Sequence, residues 1–340
     1  MKKTNWRKII KNYNKPDFKK SSWQLFSTLS LYVISWFVAY YAFQVSPWLC
    51  LGVATISQIF YGRIFIMMHD CGHGSFFKSK KAETFWGYIL GITWFTPYSQ
   101  WTKSHATHHK NSGSLEERGV GDIWTLTVQE YREASVIKKF FYRVCRFPIF
   151  VVMVGGLYTF FGIQRFFTKQ DGRKEKVSVL ITNSSILVLG ILISNLTSFK
   201  FFVFYQFFLL YFGSCLAVLF FYVQHQYEET LWCEKNDWSY EAAAMEGSSY
   251  LKLPKLIQYA SGNIGFHHIH HLSHSIPNYN LETAMKENSF FQNPTTLRLK
   301  DFGKCLSLAL YDMKIKRLIT FKEYAKNLKI TRNLDVPEIV

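Results

Sequence analysis

The stretch SWQLFSTLSLYVISWFVAYYAF, residues 22–43, contains no charged side chain. At about 1.5 Å of helical rise per residue, it can cross a hydrocarbon core about 30 Å thick. A tight QVSP connection leads to a second apolar segment, residues 48–68, whose single charge, Arg63, is near enough to the end to extend to the headgroups. Residues 22–68 therefore predict a transmembrane helical hairpin.

A second hairpin is predicted over residues 177–223, because two uncharged apolar segments there flank a short turn. Two further apolar stretches, residues 85–97 and 147–163, are short. We expect both to be interfacial or re-entrant, since one extra crossing would separate the histidine motifs described below onto opposite faces of the membrane. The predicted fold is an all-α integral membrane protein with four transmembrane helices in two hairpins and a helical cytosolic cap that carries these histidine motifs.

Charge predicts the orientation of the chain in the membrane. Its 340 residues include 40 Lys and Arg against 23 Asp and Glu, a formal net charge of +17, and the basic residues flank the apolar segments. By the positive-inside rule, we expect a cell-membrane protein with both termini and the polar segments in the cytosol. Anionic lipid headgroups explain this charge better than nucleic acid, for which no binding motif is present.

The predicted organisation has six parts, and structural disulfides are not expected from six singly scattered cysteines. The last 42 residues carry apolar side chains at helical spacing over 299–328, which predicts a cytosolic or membrane-surface helix. The parts are a basic N-terminal tail (1–21), hairpin 1 (22–68), a cytosolic or interfacial block (69–176), hairpin 2 (177–223), a second cytosolic block (224–298) and a basic cytosolic C-terminal tail (299–340).

All eleven histidines fall into four places: HDCGH (69–73), HATHH (105–109), His225, and HHIHH (267–271) followed by His274. A lone histidine is usually structural. Here every histidine of the chain belongs to one of these four places, and this clustering predicts a metal site. A helix turns about 100° per residue, so positions i, i+3 and i+4 share one face. The imidazoles of each motif can therefore converge on one centre.

The same geometry selects the candidate ligands. His268 lies about 100° off its motif's shared face and His274 two turns beyond the motif's start, so we exclude both. Nine imidazoles remain, too many for one ion and natural for two, although imidazole suits Fe, Zn, Cu and Ni alike. The nine are His69, His73, His105, His108, His109, His225, His267, His270 and His271.

Other side chains near the motifs have predicted supporting roles. Cys71 points away from the shared face of its motif and is expected to pack. A metal-bound imidazole needs a partner on its second ring nitrogen, and carboxylates are typical partners. The candidates are Asp70, Glu116, Glu117, Asp122 and Glu228.

The three motifs, with two hairpins around them, resemble the histidine boxes of membrane-bound fatty acid desaturases. The sequences around the boxes, HDCGHGSFFKS, SHATHHKNSG and GNIGFHHIHHLSHSIPNYNL, are similar to those of bacterial acyl-lipid desaturases, including Δ5 enzymes that act on phospholipid chains. The resemblance covers residues 58–287. It implies two non-haem irons held by the nine histidines, dioxygen as co-substrate, membrane lipid acyl chains as substrate and a cis double bond as product.

The resemblance also raises points of detail. Some relatives hold a metal-bound water through an Asn one turn before the isolated histidine, where this chain has Phe221. Gln224 or Gln226 can substitute, or the coordination differs. Trp94, Trp101 and Trp124 either line the acyl cavity or mark the membrane interface. The double-bond position, the chain length and the oligomeric state do not follow from these residues.

An unactivated methylene has no acidic proton, so side-chain acid–base chemistry cannot attack it and a metal-bound oxidant is required. No flavin, nicotinamide or cytochrome motif is present, which implies an external electron donor. The basic cytosolic surface favours an acidic ferredoxin or flavodoxin.

Three alternatives remain in view. A fatty acid hydroxylase or related di-iron membrane monooxygenase would use similar boxes. A membrane zinc hydrolase would carry a motif such as HExxH. A metal transporter would place its ligands near the bilayer midplane.

Overall fold

The computed structural model describes residues 5–333, which are mostly helical. In chain order the α-helices are α1 (Trp6–Ile10), α2 (Phe18–Val45), α3 (Pro47–His73), α4 (Lys80–Thr93), α5 (Tyr98–Asn111), α6 (Val128–Glu133), α7 (Val136–Cys145), α8 (Gly155–Leu157), α9 (Arg173–Leu196), α10 (Phe199–His225), α11 (Tyr240–Glu246), α12 (Lys255–Ala260), α13 (His267–Leu272), α14 (Asn278–Glu287), α15 (Phe302–Ser307) and α16 (Phe321–Asn333). Short strands are β1 (Leu126–Thr127), β2 (Tyr250–Leu251), β3 (Thr296–Leu297), β4 (Leu308–Asp312) and β5 (Arg317–Thr320).

Four helices of the described residues, α2, α3, α9 and α10, are long and apolar enough to cross a membrane. This confirms the predicted four transmembrane helices in two hairpins. Ser46 makes the first turn tight: it ends α2, and its side chain accepts a hydrogen bond from the Trp48 N–H at the start of α3. Pro47 follows at the first position of α3, where a missing N–H costs nothing.

The helix α3 continues past residue 68 and therefore carries the first histidine motif. It ends at Gly74, whose φ of 68° is the left-handed conformation that glycine adopts readily. Arg63 does not extend to the headgroups as expected. Its side chain is buried, where Nη1 donates to the Tyr259 carbonyl oxygen (2.7 Å) and the guanidinium stacks on the Tyr259 ring.

The segment that follows α7 is irregular and bent. It comprises π turns at Phe150–Val154 and Tyr158–Gly162, the short helix α8 between them, and a 3-10 turn at Ile163–Arg165. It meets α7 at 77°, the shape of a broken or re-entrant segment. Gly156 lets it approach α10 closely, because a Cβ there would be 2.5 Å from Ser214 Oγ.

Aromatic packing joins the two hairpins. The Trp94 ring stacks on Tyr61 of α3 at 4.4 Å, and its Nε1 donates to the Tyr61 carbonyl oxygen (2.6 Å). Gly213 of α10 faces both rings, since an added Cβ would be 3.0 Å from each of them. This contact holds α3 beside α10 and brings their histidine-bearing ends together.

The predicted helix over 299–328 is wrong in its middle. Residues 308–312 and 317–320 form the antiparallel pair β4–β5, and β4 also pairs in parallel with β1. Leu308, Ala309, Leu310 and Tyr311 are all buried, so this run is covered on both faces and has no helical alternation. The C-terminal segment therefore packs with the block predicted over residues 69–176, through the pairing of β4 with β1. Residues 334–340 lie outside the described structure.

Candidate metal centre

Four helix segments bring the histidine motifs together. His69 and His73 lie in the last turns of α3, and His225 is the last residue of α10. The motif at 105–109 lies in the second half of α5, and the motif at 267–271 forms most of α13. The ligand candidates therefore lie at the ends of the long helices, which argues against a midplane transporter site.

The imidazoles form two adjacent groups. In each group the ligand nitrogens all lie within 4.8 Å of one another, compatible with bonds of about 2 Å from each nitrogen to a shared ion. The His109 and His271 rings stack at 4.2 Å and join the two groups. The first group is His69, His73, His105, His109 and His270; the second is His108, His225 and His271.

Each long motif is divided between the groups, so the expectation that one motif converges on one centre is wrong. His105 and His109 face the first group, whereas His108 faces the second. Positions 108 and 109 are about 100° apart around the helix. The helix α5 therefore contributes side chains to both groups from two adjacent faces. In the same way, α13 contributes His270 to the first group and His271 to the second.

Hydrogen bonds donated by Nδ1 fix the tautomers of two imidazoles in the second group. His108 Nδ1 lies 2.5 Å from Asp122 Oδ1, and His225 Nδ1 lies 3.0 Å from the Gly247 carbonyl oxygen. These oxygens only accept, so both Nδ1 atoms carry hydrogen and both Nε2 atoms present lone pairs. The two Nε2 atoms face each other at 3.2 Å. Two opposed lone pairs at this distance repel unless a cation lies between them, so the residues present fit a bound metal.

The residues of the first group also fit a bound metal. The buried Nε2 atoms of His69 and His73 have no hydrogen-bond partner among the described residues. His109 Nε2 lies 3.1 Å from His105 Nε2 and 3.0 Å from His270 Nε2. Buried polar atoms are normally paired, so this convergence of nitrogens marks a ligand site.

Burial favours the neutral form of five of these imidazoles. Desolvation first, and neighbouring histidines second, hold the pKa values of His105, His109 and His270 well below their usual range. The pKa values of His267 and His271 are lowered for the same reasons. A neutral imidazole is the form that binds a metal.

Asp70 orients His69, as expected. Its Oδ1 lies 3.0 Å from His69 Nδ1. Its Oδ2 accepts from the backbone N–H and the side-chain Nδ2 of Asn278, at 2.7 and 2.8 Å, and Gln24 Nε2 donates to Asn278 Oδ1. Sequence reasoning missed Asn278, which is 208 positions from Asp70 and carries no spacing signal.

Of the five carboxylates proposed to orient imidazoles, three have other partners. Glu116 accepts from the Lys235 N–H at 3.0 Å, and Glu117 pairs with Lys235 Nζ at 2.8 Å. Glu228 pairs with Lys304 and Arg317. Only Asp70 and Asp122 have the expected role among the described residues.

Three histidines, His267, His268 and His274, lie outside the two groups and differ in their contacts. His267 Nε2 lies 3.0 Å from His225 Nε2, so it adjoins the second group. His268, excluded from the ligands, donates through Nε2 to the Phe291 carbonyl oxygen at 3.1 Å. His274 lies beside the first group, with its ring centroid 4.8 Å from that of His73.

The position that holds Asn in some relatives places an aromatic ring against the second group. The Phe221 ring lies 5.0 Å from the His108 ring and 5.1 Å from the His225 ring. Both neighbouring glutamines bond elsewhere: Gln224 Nε2 donates to the Ile264 carbonyl oxygen, and Gln226 Oε1 accepts from Arg146.

The three tryptophans differ in position. Trp94 is 1 % exposed, so it marks no interface. Trp101 stacks on the His105 ring at 4.5 Å and contacts Phe65, which in turn contacts Phe160 of the bent segment. Trp124 is exposed and packs edge-on against Tyr142. Phe65, Trp101 and Phe160, here called the aromatic wall, connect the membrane helices with the first group.

Two adjacent groups of converging imidazoles in a helical membrane protein are typical of membrane metalloproteins. The fatty acid desaturase family model matches residues 46–290. A fatty acid desaturase from Bacillus subtilis is 38 % identical over 97 % of this chain and 94 % of its own length. A Synechocystis sn-1 oleoyl-lipid 12-desaturase is 26 % identical over 82 % of the chain and 81 % of its own length.

A third relative, the sn-1 acyl-lipid omega-3 desaturase (ferredoxin) of Nostoc, is 25 % identical over 79 % of the chain and 75 % of its own length. The chain belongs to the fatty acid desaturase family. It is a fatty acid desaturase, which confirms the predicted oxidoreductase class over the hydroxylase alternative. The zinc hydrolase alternative is likewise not favoured.

Proposed function

We propose that the chain uses two iron ions, dioxygen and two electrons to introduce a cis double bond into acyl chains of membrane phospholipids. The observation that supports this most strongly is the pair of imidazole groups, side by side at the ends of α3 and α10. Dioxygen, two electrons and two protons, with two hydrogens from adjacent methylenes, yield the double bond and two waters.

The nine histidines are the proposed ligands. His69, His73, His105, His109 and His270 would hold one ion, and His108, His225, His267 and His271 the other. Two iron ions, when bound, supply the oxidising chemistry that an unactivated methylene requires. Imidazole alone does not distinguish iron from other transition metals, so the family resemblance supports this choice.

The chain's own residues position the ligands and the substrate. Asp70, Asp122 and the Gly247 carbonyl oxygen keep hydrogen on Nδ1 of their histidines and direct Nε2 inward. The aromatic wall offers an acyl chain an apolar surface that leads to His105 and excludes water. Placement of the chain along this surface selects the methylenes that react.

The proposed location is the cell membrane, with the termini and the metal centre on the cytosolic side. The positive-inside distribution of Lys and Arg supports this orientation. The proposed electron donor is an acidic ferredoxin or flavodoxin, consistent with the net charge of +17 and with the ferredoxin named for the Nostoc relative.

The test expresses the chain in a host that makes only saturated lipids and maps double bonds in its phospholipids by mass spectrometry. The wild type is expected to give lipids lighter by two hydrogens. His108→Ala removes a nitrogen that faces His225 Nε2, so its product should vanish while the protein still inserts into the membrane.

The matched control is His268→Gln, in the third motif. His268 bonds to a backbone carbonyl oxygen rather than to an imidazole, and glutamine can still donate. Its product should scale with the amount of protein in the membrane. Products heavier by one oxygen, or desaturation by His108→Ala, would contradict the proposal.

A further inference from the structure

His274 is the only histidine with an exposed side chain, and all eleven lie within residues 5–333. It lies just beyond the end of α13, two positions after Leu272. Its ring centroid lies 4.8 Å from that of His73 and 5.6 Å from that of His109, both members of the first group. Yet His274 is outside the set of nitrogens that converge within 4.8 Å.

This position matters because a metal ion must enter a buried site from water. His109 and His270 are buried, whereas His73 is half-buried and touches His274. Moving a bare dication into a low-dielectric interior is costly. Exchange from one imidazole to the next keeps the ion coordinated at every step, and the series His274, His73, His109 provides such steps.

The second group lies away from His274. His108 and His225 line a small cleft of their own, together with Asp122 and Trp232. His274 makes no ring contact with His108, His225 or His271 that the structure of the described residues shows. Loading of the two groups can therefore be distinguished.

We propose that His274 is a metal-loading ligand that captures a divalent transition-metal ion from solvent and passes it to His73 and His109 without remaining bound. The inference rests on the two-metal centre of the proposed function. It gives a role to His274, which is not among the nine histidines proposed to hold the two ions.

The test follows metal binding rather than desaturation. Purified, chelator-stripped protein in detergent is mixed with Co²⁺, and the visible absorption of the bound ion is recorded by stopped flow, with final metal content measured separately. In His274→Ala, one of the two equivalents should load several-fold more slowly, because the first, solvent-exposed step of the imidazole series is removed. The second equivalent should load at the wild-type rate, and final content should remain two.

The matched control is Ser275→Ala, which removes the Ser273–Ser275 side-chain hydrogen bond but no imidazole. It should load both equivalents as the wild type does. Three results would overturn the inference: unchanged loading in His274→Ala, equal slowing in Ser275→Ala, or final content reduced to one in His274→Ala, which would make His274 a resident ligand. If the wild type itself bound fewer than two ions, the two-metal centre of the proposed function would fail first.

Discussion

At the scale of single residues, the hydrogen-bond partners of Nδ1 orient the imidazoles of the candidate metal centre. Asp122 and the Gly247 carbonyl oxygen set the tautomers of His108 and His225, whose Nε2 atoms then face each other. Spacing alone could predict that these histidines bind metal. It could not predict which carboxylate would reach which ring, because that depends on how distant segments fold together.

Replacing Asp122 by asparagine tests this role. The amide can present its NH₂ to His108 Nδ1, which would favour hydrogen on Nε2, the nitrogen that should bind the ion. Affinity for one of two metal equivalents should fall about 10- to 100-fold, measured by competition with a chelator.

Glu117→Gln is the control for this charge change, because Glu117 bonds to Lys235 rather than to a histidine. It should retain wild-type affinity for both equivalents. Equal loss in the two variants would show that charge near α5, and not the tautomer of His108, governs binding.

At the scale of elements, the long helices were predictable and the short ones were not. Long apolar runs with at most one charge allow few structures in a membrane, so α2, α3, α9 and α10 follow from composition. The sheet formed by β1, β4 and β5 was missed because its partner strand β1 has only two residues. The division of α5 between two metal groups depends on the rotation of that helix, which periodicity does not give.

The bent segment between α7 and α9 offers a test at this scale. In Gly156→Val the new Cβ would meet Ser214 backbone carbon at 2.9 Å, so the segment must move away from α10. Overpacking of this kind costs about 1–3 kcal/mol. We expect a lower thermal unfolding temperature and less desaturated lipid, because Phe160 of the same segment belongs to the aromatic wall.

The neighbouring glycine supplies the control. A Cβ at Gly155 would be 3.5 Å from Val218 Cγ1, an ordinary contact, and its φ of −57° suits alanine. Gly155→Ala should therefore match the wild type in stability and product. If Gly156→Val behaved the same way, close approach of this segment to α10 would not be needed for function.

At the scale of the whole molecule, burying so many imidazoles links stability to pH. In the folded protein His105, His109 and His271 have pKa values well below the usual 6.5, so they remain neutral when the unfolded chain begins to take up protons. The unfolded state binds more protons at low pH, and stability therefore falls as pH decreases below about 6.5. Bound metal should be lost over the same range, because protons compete for the same nitrogens.

Unfolding midpoints and metal content of the purified protein, measured between neutral and mildly acidic pH, check this expectation. Both should decline together on acidification and recover when pH is restored. Stability that increased as pH fell would contradict the direction of these pKa shifts.

The continuous helices α3 and α10 have a consequence for how the enzyme responds to its surroundings. Each is 27 residues long and ends in histidines proposed as metal ligands, without an intervening loop. A bilayer that thickens or thins changes the tilt of such helices. A change of tilt of either helix would displace the imidazoles at its end, so we expect the thickness of the bilayer to affect the geometry of the proposed metal centre.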